Sequence, residues 1–127
     1  IAVNVISNES IQKCVEEVGQ LVQEEGLNCL INNAAINVEG DIHTVSAEMM
    51  IKNYHTNAVA PLMMTKAFLP LLKNAASREA SGTISMGIQR AAVINMSSKR
   101  GSIQLNKGEY ANDSKLYPYI VSKIVWL

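Results

Sequence analysis

The sequence predicts an α/β fold: a doubly wound parallel sheet with helices on both faces. Three observations lead there. Runs rich in branched apolar residues at 1–6, 27–31 and 91–96 lack polar alternation, as strands buried on both faces do. Helical stretches separate them, giving the order strand, helix, strand, helices, strand, helix. A polar cluster follows each run at once, where an open parallel sheet places its ligand crevice.

Residues 1–6 read as the first strand. Ser7-Asn8-Glu9-Ser10 reads as a helix start, with a capping side chain and then an acid in the first turn. Ile11, Cys14, Val15, Val18, Leu21 and Val22 then step by three and four, with Glu16, Glu17, Gln20, Gln23 and Glu24 opposite. Gly26 is the expected stop. Residues 27–31 form the second strand, followed directly by Asn32-Asn33-Ala34-Ala35. Ser46 can cap a further helix with Glu48 in its first turn. Helical character runs through 49–57 and 61–76, kinked or segmented by Pro61 and Pro70. A long small-residue connection at 74–90 leads to the third strand, 91–96, closed by Ser97-Ser98. After a mixed-charge loop at 99–116, a last helix starts near Tyr117-Pro118, where proline is tolerated.

Residues 1–127 are therefore expected to form a single partial domain. The chain opens inside a strand and stops inside a helix, so it reads as a piece of a longer protein.

Eleven Lys+Arg balance eleven Asp+Glu, which leaves no sequence-wide electrostatic case for nucleic acid or an anionic membrane. Apolar residues make up 48% and charged residues 17%, below the ~25% usual in soluble domains, so much of the chain should be interior. No apolar run approaches the ~20 residues of a membrane helix. Cys14 and Cys29 make no disulfide framework and are expected to be inert core thiols, in keeping with a cytoplasmic setting. His43 and His55 have no cysteine or carboxylate at ligand spacing, so no metal is expected.

The sharpest chemical signal is Tyr119-Ile120-Val121-Ser122-Lys123. Residues four apart on a helix share a face. A phenol titrates near ~10, too high for acid–base work at neutral pH, and an ammonium one turn away favours the phenolate. Such a pair can exchange a proton with a substrate oxygen, which a serine hydroxyl can hold. By itself this spacing also describes many exposed helix pairs; the Ser97-Ser98 strand end upstream is what raises it. Tyr117 is a rival, but six residues from Lys123 it is poorly aligned.

Four motifs occur in order: Leu30-Ile31-Asn32-Asn33-Ala34-Ala35, Asn57-Ala58-Val59-Ala60-Pro61, Val93-Ile94-Asn95-Met96-Ser97-Ser98 and Tyr119-x-x-x-Lys123. With them the sequence resembles the central part of a short-chain dehydrogenase/reductase. Residues 90–103 with Tyr117-Pro118-Tyr119 are most similar to carbonyl-reductase-like members of the sniffer and C-factor type. The resemblance implies a Rossmann-like sheet, incomplete, holding strands 3–5 and their helices. It implies an NAD(P)-dependent oxidoreductase that reduces an aldehyde or ketone, with NADP(H) preferred over NAD(H).

The resemblance also assigns roles. Tyr119 would be the general acid, and Lys123 would assist it and bond the nicotinamide ribose. Ser98 would orient the substrate, with Ser97 as fallback. Asn57 would support Lys123 through a water and a proton relay. Asn4, Asn32, Ala34 and Ala35 would lie along the cofactor's adenosine side. The partner is a small carbonyl or alcohol, with homo-oligomerisation through the helices at 57–76 and 119–127. The alternative is a catalytically inactive truncated or splice form, acting at most as a protein-binding module.

The sequence departs from the family pattern in places. Ala35 stands where glycine is usual, and Asn4 where an aspartate is common. None of the seven glycines is spaced G-x-G-x-x-G. In the sheet order 3-2-1-4-5-6, strands 1 and 2 would separate residues 1–6 from 27–31. Without them the edge at 27–31 is open and apolar, an aggregation hazard, and the isolated chain is expected not to fold stably.

Overall fold

A computed structural model of the chain describes residues 1–78, 90–105, 107 and 115–126. Its main elements are α1 (Asn8–Val22), β1 (Cys29–Asn32), α2 (Ala47–Tyr54), α3 (Ala60–Arg78), β2 (Ala92–Asn95) and α4 (Tyr117–Ile124). A π-helical turn, His55–Val59, lies between α2 and α3, and 3-10 turns lie at Gln23–Glu25 and Lys99–Gly101. β1 and β2 pair as a short parallel sheet with helical crossover, as the fold class requires. The chain divides into two units: Ile1–Asn32 with Leu62–Ile94, and Asn33–Pro61 with Asn95–Leu127.

The first unit is built on α1 and α3. Ser7 Oγ accepts from the Ser10 N–H at 3.2 Å, the expected cap. Ile11 and Cys14 of α1 meet Met64, Phe68 and Leu72 of α3 in an apolar cluster. Val3, Val5, Leu27 and Leu30 pack against it. Gly26 adopts φ 72°, and a Cβ there would run into the backbone of Leu71 and Ala75. That clearance lets the Leu27 N–H reach the Leu71 carbonyl at 2.9 Å.

Two strand expectations need correction. Residues 1–6 form no strand: Asn4 closes a turn, its carbonyl accepting from Ser7 N at 3.0 Å and its Oδ1 from Ile6 N at 3.3 Å. A strand exists only against a neighbour, and no described residue pairs with this one. Nor are the two formed strands buried throughout. Ile31 is 57% exposed, and Val93 and Ile94 each 39%. A two-stranded sheet cannot shelter both of its own faces. Cys14 is buried as expected, whereas Cys29 in β1 is only half-buried.

The second unit is organised around polar groups. Among the described residues the largest fully buried side chains are Asn53, Asn57, Pro118 and Ser122, all in this unit. Ser46 Oγ caps α2 by accepting from Met49 N at 3.2 Å, as its sequence suggests. Asn53 donates to the Met49 carbonyl at 3.1 Å and accepts from Val38 N at 3.3 Å. Gly40 and Leu116 form an isolated parallel bridge.

Candidate active site

Pro61 determines the local geometry at Asn57. An α-helical carbonyl accepts from the N–H four residues on, and four residues after Asn57 stands Pro61, which has none. The helix widens here, and the Ala60 N–H reaches back five residues to the His55 carbonyl. The proline expected to segment this helix thus produces a π turn. Pro70 sits within α3, which runs on past it.

Asn57 is 1% exposed, and its amide is fully engaged. Oδ1 accepts from Ile36 N at 2.8 Å, and Nδ2 donates to the Ile36 carbonyl at 2.8 Å. Nδ2 also donates to Ser122 Oγ at 2.9 Å, and Ser122 Oγ donates on to the Tyr119 carbonyl at 2.7 Å. The Asn57 main-chain carbonyl accepts from the Trp126 indole N–H at 2.7 Å.

α4 carries Tyr119 and Lys123 on one face, as their spacing requires. Lys123 Nζ lies 5.8 Å from the centre of the Tyr119 ring. Lys123 is buried, and its ammonium donates to the Met96 carbonyl at 2.8 Å. Burial disfavours the charged form and holds the Lys123 pKa below the usual lysine value. Gly101 lies against the Lys123 main chain: a Cβ there would come within 2.7 Å of the Lys123 carbonyl oxygen. Tyr119 itself is half-buried.

The second unit therefore brings Asn57, Tyr119 and Lys123 into one bonded framework. Ser98, also in this unit, caps the Lys99–Gly101 turn by accepting from Arg100 N at 3.2 Å. Accepting uses a lone pair and leaves the role of the hydroxyl proton as donor intact. Ser97 is exposed. Ala34 and Ala35 are exposed in the irregular segment leading to the Ile36 peptide that Asn57 holds. Asn4 and Asn32 belong to the first unit, where Asn32 donates to Thr65 Oγ1 at 3.1 Å.

Sequence reasoning missed Ser122, Trp126 and Asn53. For Trp126 two signals were available. Trp126 follows Lys123 by three residues, on the same helical face, and a Pro four residues after Asn57 announces a carbonyl in need of another donor. Among the described residues, no cluster of three His, Cys, Asp or Glu forms a metal site, and no helix is long and apolar enough to cross a membrane.

The family model for short chain dehydrogenases matches residues 1–111. The chain belongs to that family. Among solved short-chain dehydrogenase structures, carbonyl reductase Sniffer of D. melanogaster is 38% identical with a TM-score of 0.83; the match covers 98% of this chain and 48% of that one. An NADPH-bound carbonyl reductase from chicken fatty liver is 35% identical with a TM-score of 0.85, covering 98% and 46% respectively. Mitochondrial D-beta-hydroxybutyrate dehydrogenase of Bos taurus is 33% identical over 89 residues, 68% of this chain and 26% of that protein. The chain thus spans about half the length of these solved short-chain dehydrogenases and about a quarter of that curated relative. The Rossmann-like sheet expected from the motifs is the fold these relatives have.

Proposed function

We propose that this chain carries the proton-transfer side of an NAD(P)-dependent short-chain oxidoreductase that reduces an aldehyde or ketone. One observation carries the reading: a buried ammonium, Lys123, sits 5.8 Å from the ring of the half-buried Tyr119 on the same helix. In it Tyr119 donates its phenolic proton to the substrate oxygen as negative charge develops there. Lys123 stabilises the charge left on the phenol. Ser98 keeps its proton and orients the same substrate oxygen through a hydrogen bond. Asn57 holds the helix carrying the pair through Ser122.

When bound, a dihydronicotinamide would supply the hydride. The donor set fits its ribose end. An ammonium has three N–H groups, and the bond to Met96 uses one of them. Lys123 and Tyr119 would hold that end, and Asn4, Asn32, Ala34 and Ala35 would line the adenosine side. The preference for NADP(H) is supported by likeness to the NADPH-bound chicken reductase. Residues 1–127 as part of one domain, a cytoplasmic setting and pairing through 57–76 and 119–127 belong to the same reading.

The test is NADPH oxidation with a panel of aldehydes and ketones. Tyr119→Phe should lower kcat by about 10²–10⁴-fold, and NADH should support slower turnover. Equal activity in wild type and Tyr119→Phe overturns the reading. The exposed apolar residues Ile31, Val93 and Ile94 favour a second reading, a catalytically inactive protein-binding chain. Co-purification with a longer family member, without turnover, would support that one.

A further inference from the structure

We propose that Trp126 is a positioning residue for Lys123, acting through the main-chain carbonyl of Asn57. The sequence creates the need for it. Pro61 cannot give the Asn57 carbonyl its α-helical hydrogen bond, and the indole N–H of Trp126 donates there instead at 2.7 Å. The same asparagine donates its side-chain amide to Ser122 at 2.9 Å. One residue therefore grips the chain on both sides of Lys123, one position before it within α4 and three after it, in the turn that follows α4. The last turn is completed by the Trp126 N–H against the Lys123 carbonyl at 3.4 Å.

This grip has work to do. A buried ammonium is drawn towards water, and Lys123 is 4% exposed. Its one charge-assisted bond, to the Met96 carbonyl, holds only the tip of the side chain. The Ser122 bond fixes the helix just before Lys123, and the indole bond fixes the turn just after it. Loss of the indole N–H frees that end of α4, and the ammonium rises towards solvent.

The inference rests on Lys123 serving as the ammonium beside Tyr119, but its test does not use turnover. The full chain is labelled with limiting acetic anhydride, and acylation is read lysine by lysine by mass spectrometry. In the native sequence Lys123 should label more slowly than the exposed Lys52. Trp126→Phe keeps an aromatic ring and deletes only the donor. It should speed Lys123 labelling about fivefold relative to Lys52, the effect of losing one net hydrogen bond. Amide exchange in α2 should stay as it was.

Pro61→Ala gives a second route. It restores an N–H four residues after Asn57, which competes for the carbonyl. Trp126 is the only tryptophan in the chain, so its emission reads the competition directly and should move to longer wavelength. Three results overturn the proposal: unchanged Lys123 labelling in Trp126→Phe, faster α2 exchange alongside faster labelling, or native Lys123 reacting as fast as Lys52. Unchanged emission in Pro61→Ala also overturns it. Should reductase activity be absent while these shifts appear, the functional reading falls and the positioning role stands.

Discussion

Asn57 and Ser122, 65 residues apart in sequence, share a buried hydrogen bond of 2.9 Å in which the asparagine amide donates to the serine hydroxyl. The serine hydroxyl in turn donates a hydrogen bond to the Tyr119 carbonyl, so the π turn and the helix bearing Tyr119 and Lys123 are joined by one chain of donors and acceptors. Buried networks of this kind stabilise only when every member is satisfied.

Asn57→Leu keeps much of the side-chain volume and removes the amide. The Ile36 N–H and carbonyl and the Ser122 hydroxyl each lose a partner. The expected cost is about 2–5 kcal/mol, read as a shift in urea midpoint. The Ile36 amide should also exchange faster. Native-like protection of that amide in the variant would contradict the arrangement.

Lys123→Met should change how stability depends on pH. The folded-state pKa of Lys123 lies below its ordinary value of 10.5, because burial disfavours the charge. Between those two values the unfolded chain binds more protons than the folded one, so stability rises with pH across that interval. Below the folded pKa the burial cost is fully present. The methionine variant lacks that cost, so its advantage should be greatest at neutral pH and shrink as pH nears 10.5. Parallel denaturation curves at neutral and alkaline pH would refute this.

Gly26→Ala should be severe for a single methyl group. The site combines φ 72° with backbone from Leu71 and Ala75 where the Cβ would sit. A loss of about 2–4 kcal/mol is expected. A midpoint shift equivalent to less than ~0.5 kcal/mol, the range of neutral surface changes, would show that the turn has room.

The exposed strands should make the isolated chain self-associate. Ile31→Thr combined with Val93→Thr retains β-branching and removes apolar surface from exposed positions in β1 and β2. Sedimentation velocity should show less concentration-dependent association for the double variant. A native chain that sediments as a monomer at every concentration would disprove the expectation.

What the sequence revealed depended on how far apart the interacting residues lie. The α1 stripe, the Ser7 and Ser46 caps and the Tyr119–Lys123 alignment are set within a turn or two, and all were legible. Residues 1–6 have the composition of a strand, but a strand needs a neighbour, and composition does not supply one. The burial expected at Val93 and Ile94 failed for the same reason: shelter comes from other strands and helices. The Trp126 bond to Asn57 spans 69 residues. The missing N–H of Pro61 says a donor is needed without saying which, and the spacing from Lys123 gives Trp126 a face without giving it a partner.

Gly101 lies against α4 where any other residue would strike the Lys123 carbonyl. Tyr119 and Lys123 ride on that helix together. A single methyl group added at position 101 would act as a shim, lifting phenol and ammonium by the same amount and leaving their mutual spacing intact. The height of the Tyr119 and Lys123 side chains would then be set from position 101, through the thickness of what lies beneath the helix.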